Sequence, residues 1–155
     1  GIILTTRLII MRHSKSSWEN LNLSDHDRPL NERGQKDAPV MYQELINNNW
    51  LPDTVFLSSS KRTIETLALM NFDKSITKIE IKPSIYHASI NELINQLQLI
   101  EENKTTMILG HNPGCELLVN QLTGKWYRMP TSAVALFIKQ KKSWIMQDIL
   151  RPKEL

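Results

Sequence analysis

The chain has 155 residues, a formal charge of +3, 23% charged and 41% hydrophobic side chains. That length supports one compact domain with a real core, the composition excludes disorder, and 19 basic against 16 acidic residues make no demand for nucleic acid. A single cysteine, Cys115, excludes an internal disulfide, and no apolar run approaches the ~20 residues of a bilayer span. Residues Gly1 to Thr6 lack a basic leader and a cleavage pattern, so the expectation is a cytoplasmic protein with no membrane association.

The first predicted strand, Arg7–Met11, is apolar and ends abruptly in Arg12-His13-Ser14. Strand neighbours face opposite ways, so the chain must turn there for Arg12 and His13 to serve one ligand. Ser14 is small enough for such a turn and carries a hydroxyl donor. The spacing of Val40, Met41, Leu45 and Ile46 predicts a helix over Glu32–Asn48. Pro39 predicts a kink in it, or a start near that point with Asp37 as cap.

The strand Thr54–Leu57 leads into Ser58-Ser59-Ser60, and a serine cap puts Arg62 in the first turn of a helix over Ser60–Met70. A strand over Lys78–Ile81 and a helix over Ser89–Ile100 follow. The strand Thr106–Leu109 ends through Gly110 in His111, before Asn112-Pro113-Gly114 and a helix over Pro113–Leu122 that Gly124 stops. Val134–Ile138 and Trp144–Leu150 read as a hairpin turning through Gln140–Ser143. The alternation implies a single layered α/β domain over 1–155, with a mostly parallel sheet of about six strands and some antiparallel pairing.

Two strands that each deliver a histidine to the sheet rim point to ligand chemistry, because open α/β sheets bind ligands at strand C-termini. Phosphoryl transfer through histidine needs a neutral imidazole held in one tautomer, and positive groups around the phosphoryl oxygens. His13 fits the nucleophile. Arg12 and Arg62 fit as forked cations, and His111 fits as a phosphate ligand that stabilises when protonated. Taken singly, each has a plain reading: a structural histidine, a surface arginine, a capping serine. Their recurrence at successive strand-to-loop junctions is what points to a site. The four histidines, His13, His26, His87 and His111, show no metal-ligand spacing, so no metal and no cofactor are expected.

These residues resemble the histidine phosphatase superfamily, the phosphoglycerate-mutase-like group, and within it the SixA-like phosphohistidine phosphatase branch. The resemblance rests on Arg12-His13-Ser14, Arg62 within Lys61–Thr66, and Gly110-His111-Asn112-Pro113-Gly114. It extends to the stretches Asp25–Gly34, Asp37–Met41, Ile85–Ser89 and Met129–Ala133. It implies a three-layer α/β/α fold and a metal-independent reaction. In it His13 forms a phosphohistidine, and Arg12, Arg62 and His111 form the rest of the phosphate pocket; Ser14, read from its hydroxyl, is a further phosphate-binding candidate. Ser14 stands where the signature usually has glycine or alanine, which matters if the backbone there is left-handed.

No carboxylate stands at the position expected for a general acid. Asp25, His26, Asp27, Glu80 and His87 remain, with Asp27 and His87 as the named candidates. Their plain readings are a loop-ordering Asp27–Arg28 pair and a partly buried polar contact for His87. A site without a strong acid suits a P–N bond better than an alkyl ester. The expected substrate is a protein phosphohistidine. The alternatives are a small phosphomonoester, or a regulatory module that binds a phosphorylated protein without turnover.

Other residues carry plainer expectations. Lys15 and Trp18 are either a lip over the pocket or solvated. Trp126–Met129 reads as edge packing, Arg33 as a loop anchor, Lys139, Lys141 and Lys142 as a solvated turn, and Cys115 as a small packing residue.

Overall fold

Leu8, Ile9, Ile10 and Met11 are all fully buried, so the first strand has no polar face. Such a strand needs apolar cover on both sides, which only a central place in a layered sheet supplies. The computed structural model describes residues 5–155; residues 1–4, part of the stretch read as lacking a leader, lie outside it. The strands are β1 (Arg7–Arg12), β2 (Thr54–Leu57), β3 (Lys78–Ile81), β4 (Thr105–Gly110), β5 (Val134–Gln140) and β6 (Ser143–Leu150). Their order is β3-β2-β4-β1-β5-β6, with β1 in the interior. The pairs among β3, β2, β4 and β1 are parallel, and those of β1 with β5 and β5 with β6 are antiparallel.

The helices are α1 (Glu32–Asn47), α2 (Lys61–Met70), α3 (Ile90–Leu97) and α4 (Gly114–Thr123). Ile9 and Met11 pack on one face with Met41 and Leu45 of α1 and Leu67 and Met70 of α2. Leu8 and Ile10 pack on the other face with Leu93 of α3 and Leu118 and Val119 of α4. The result is the expected three layers. Each large apolar side chain buried this way contributes about 1.5–3 kcal/mol.

Helix boundaries follow local chemistry. Ser60 caps α2 by accepting from Thr63 N, Ser89 caps α3 by accepting from Glu92 N, and Gly124 stops α4 at φ 77°. One expectation fails: α1 does not start near Pro39, and Asp37 is not its cap. Asn31 is, accepting from Gly34 N at 2.9 Å, and the helix continues through Pro39. Asp37 pairs instead with Arg33 at 3.4 Å, one turn away in the same helix, so Arg33 finds a carboxylate but within α1 and not as a loop anchor. Burial of Ala38, Met41 and Leu45 offsets the ~3 kcal/mol an interior proline costs.

The topology places the site. Strands β1 and β4 are adjacent and parallel, yet the chain leaves β1 toward α1 on one face and leaves β4 toward α4 on the other. Two neighbouring strands whose connections diverge open a crevice at their C-terminal ends. Arg12 pairs with Gly110 in that register, so the residues that follow, His13 and His111, emerge side by side into it.

Candidate active site

His13 N donates to Gly110 O at 3.0 Å, continuing the β1–β4 ladder one step past the strand. The His13 and His111 rings lie 5.3 Å apart between centroids, close to the spacing of neighbouring strands. Both are buried. His13 Nδ1 lies 2.6 Å from the carbonyl of Ser14. A carbonyl only accepts, so Nδ1 carries the hydrogen and Nε2 keeps its lone pair. Burial above all, aided by the charges of Arg62 and Arg12 and opposed by the Ser14 hydrogen bond, pushes His13 down to about 3. The ring is therefore neutral near pH 7, as a nitrogen nucleophile must be.

His111 is oriented from β2. Ser58 N donates to Leu109 O at 3.1 Å, and the Ser58 hydroxyl lies 2.7 Å from His111 Nε2. Its Nδ1 is buried with no partner in the protein. Burial, then the neighbouring His13 and Arg62, push His111 down to about 3. The sequence left the charge of His111 open, and burial disfavours its protonated form in the free site. The free site holds a neutral ring, which serves through one N–H when Ser58 donates to Nε2.

Arg62, in the first turn of α2, is 4% exposed. Its Nη1 donates to the Asp25 carbonyl at 2.7 Å and its Nη2 to Asp25 Oδ2 at 3.0 Å. Arg12 Nη1 donates to Met129 O at 3.2 Å. The Nε atoms of both arginines, like His111 Nδ1, are buried without partners. A buried donor left unpaired costs roughly 1–3 kcal/mol. Three such atoms fall on three of the four residues expected to hold phosphate, Arg12, Arg62 and His111.

Ser14 is placed differently from expectation. It is fully buried, its hydroxyl is 2.6 Å from that of Ser132, and its N–H donates to Thr66 Oγ1 at 3.0 Å. The hydroxyl fixes the turn and is not offered to a ligand. Ser14 is also absent from the positive-φ residues, so serine in place of glycine meets no backbone strain. Ser132, at φ 68°, donates its N–H to His13 O at 2.9 Å.

The acid candidates separate clearly. Asp27 is exposed, accepts from the Ser24 hydroxyl at 3.0 Å and touches none of the four central residues. The expected Asp27–Arg28 pair is an Asp25–Arg28 pair at 3.2 Å, because a 3-10 turn over Asp25–Asp27 brings residues three apart together. Glu80 pairs with Lys78 and Lys82, and His26 bonds the Ser59 hydroxyl at 3.0 Å. His87 is exposed, not partly buried. Its ring stacks on Tyr86 and its Nε2 is 3.2 Å from Asp25 Oδ2. Burial works to raise the Asp25 carboxyl, but hydrogen bonds from Tyr86 and Arg62 hold it well below the usual carboxylate range. Asp25 is the organising residue that sequence reasoning underrated. Its partners Arg62, Tyr86 and His87 are remote in sequence, and no local spacing signals them.

Lys15 is exposed on the other side of the nucleophile turn, and Trp18 lies under Arg28, 3.5 Å from ring centre to guanidinium. Cys115 packs as expected: it is buried, and burial pushes its thiol up to about 12. Among the described residues, no group of three or more His, Cys, Asp or Glu is placed to hold a metal ion. No helix of the described residues is long and apolar enough to cross a membrane.

Residues 8–93, a span that contains His13 and Arg62, match the family model of the histidine phosphatase superfamily, branch 1. The chain belongs to that superfamily. An uncharacterized chloroplastic protein of Arabidopsis thaliana is 34% identical over 152 residues, covering 91% of this chain and 70% of the relative. A 2,3-bisphosphoglycerate-dependent phosphoglycerate mutase of Arthrobacter is 38% identical over 65 residues, 41% of this chain and 26% of that enzyme. A crystal structure from Agrobacterium tumefaciens, provisionally assigned as the phosphohistidine phosphatase SixA, superposes with a TM-score of 0.85 at 25% identity. It covers 95% of this chain and 98% of the other. This superfamily member thus has the mixed six-stranded sheet of the phosphoglycerate-mutase-like fold and resembles SixA along almost its whole length.

Proposed function

We propose that the chain is a metal-independent phosphatase that hydrolyses protein phosphohistidine through His13. The observation that carries this reading is the set of unpaired donors on Arg12, Arg62 and His111 around an imidazole whose Nδ1 is already committed. In the first step, the His13 Nε2 lone pair forms a bond to phosphorus as the bond to the substrate imidazole breaks. That imidazole leaves and takes a proton from solvent. In the second step, a water oxygen attacks phosphorus, the P–Nε2 bond breaks, and orthophosphate leaves as the water proton passes to solvent. Throughout, the donors face equatorial oxygens whose charge is redistributed in the transition state.

The choice of a P–N substrate rests on the acid. Asp25 is the carboxylate that touches this cluster, and its partners hold it ionised. An ionised carboxylate cannot protonate an alkoxide, whereas a phosphoimidazole can take its proton from solvent on the distal ring nitrogen and leave as a neutral ring. A second reading, a small phosphomonoester, would draw its proton from His87 beside Asp25.

The test compares a phosphohistidine peptide, p-nitrophenyl phosphate and glucose 6-phosphate in the presence of a chelator. Turnover should fall in that order, and acid-labile, base-stable phosphate should be trapped on the wild type and be absent from His13→Ala. Preference for the sugar phosphate, or loss of activity on chelation, overturns the reading.

A further inference from the structure

Arg12 also lines a second cleft, of about 260 Å³, which the mechanism above does not use. Its other walls bring together Lys15 from the loop after the nucleophile, Arg33 from α1, Arg128 from the segment before β5, and Arg151 and Lys153 from the C-terminal end. Glu154 is the one carboxylate in the lining. The formal charge of the entire chain is only +3, so this cleft holds more net positive charge than the molecule, and the remainder is slightly acidic.

The concentration is not explained by internal pairing. Arg33 is paired with Asp37 and Arg151 with Glu154, but Lys15, Arg128 and Lys153 form no salt bridge among the described residues. Arg151 Nε also donates to the Arg128 carbonyl at 3.1 Å, which holds two of the cationic segments together. Gathering like charges from four separate stretches is unfavourable by up to about 1 kcal/mol per close pair in water. An anion in the cleft reverses the sign of that term.

We propose that this cleft receives a second anionic group of the substrate, next to the phosphoryl group that Arg12 shares with His13. The inference rests on the phosphatase reading and names its substrate class: a phosphorylated molecule with carboxylate or phosphate oxygens beside the scissile phosphorus. Those oxygens belong either to acidic side chains that flank a phosphohistidine, or to a second phosphate on a small molecule. The chemistry in the cleft is the same for both.

The test uses the full chain and the double variant Arg128→Gln/Lys153→Gln, which changes two exposed side chains outside the catalytic cluster. Two phosphohistidine peptides are compared, one with aspartates and one with asparagines beside the phosphohistidine. Wild type should show about tenfold higher kcat/KM for the aspartate peptide, the size of two favourable surface charge interactions. The preference should shrink in 0.5 M salt and vanish in the double variant, with p-nitrophenyl phosphate turnover unchanged within twofold. A parallel arm measures binding of orthophosphate and pyrophosphate to His13→Ala protein, so the cleft is read even if turnover fails. Tighter pyrophosphate binding that the double variant on that background loses, without a peptide preference, supports the inference and assigns the small-molecule source. A peptide preference supports the protein source. Equal peptides together with equal phosphates overturn the inference while leaving the nucleophile reading intact; loss of phosphohistidine turnover with cleft binding retained overturns only the nucleophile reading.

Discussion

Replacing Arg62 with lysine keeps the positive charge and removes the fork. Arg62 uses two nitrogens on Asp25, at 2.7 and 3.0 Å, and has a third, Nε, buried without a partner. Lysine has a single nitrogen and cannot serve both ends. If Nζ stays with Asp25, the transition state loses one preorganised donor, about 2.7–4 kcal/mol or 10²–10³ in kcat. If Nζ turns to the phosphoryl group, Asp25 loses charge-assisted hydrogen bonds worth about 1.5–3 kcal/mol each. With both bonds lost, a chain of this size melts roughly 6–24 °C lower. The assay is single-turnover phosphoenzyme formation at 20 °C, with thermal melting as the folding control. Turnover within fivefold of wild type at an unchanged melting temperature refutes the assignment of distinct jobs to the three nitrogens.

Acid should destabilise the protein early. His13 and His111 are held at about 3 when folded, against 6.5 for an unperturbed histidine, so below pH 6.5 the unfolded chain takes up protons that the folded one refuses. Their contribution is complete above pH 6.5 and is lost toward pH 3; melting temperature should fall through that window, with a shallower slope in His111→Gln. Gly34→Ala should lower stability by about 1–3 kcal/mol or more, and activity with it. A Cβ there would lie 2.2 Å from the Lys15 carbonyl oxygen, directly behind the nucleophile turn, and a melting curve indistinguishable from wild type contradicts that packing. Cys115 should resist an aromatic disulfide reagent at pH 8 in the native state and react only after denaturation, given its burial and raised pKa.

The strands were legible because their signal is local. Leu8–Met11, Thr54–Leu57 and Met107–Leu109 are short apolar runs, and His13 and His111 stand just past the ends of the first and the third. Ser60 and Gly124 also act through nearest neighbours, as cap and stop. Pro39 misled for a physical reason: its helix-breaking cost is local, whereas the burial that overrides it comes from the sheet. Asp25 was hidden because its importance lies in three side chains brought to it by α2 and the 83–87 segment. The charge state of His111 stayed open in the sequence because it turns on burial, which sequence does not display and which outweighs the pull of Asp25.

Arg12 N donates to Ala133 O at 3.1 Å, Ser132 N to His13 O, and the Ser14 and Ser132 hydroxyls meet. The strand tip that carries the nucleophile is thus braced by residues more than a hundred positions later. A fragment ending before Met129 would contain His13, Arg12, Arg62 and His111, and yet lack the brace that aims His13. The nucleophile turn is therefore complete only once the segment 129–133, which leads into β5, has docked beside the tip of β1.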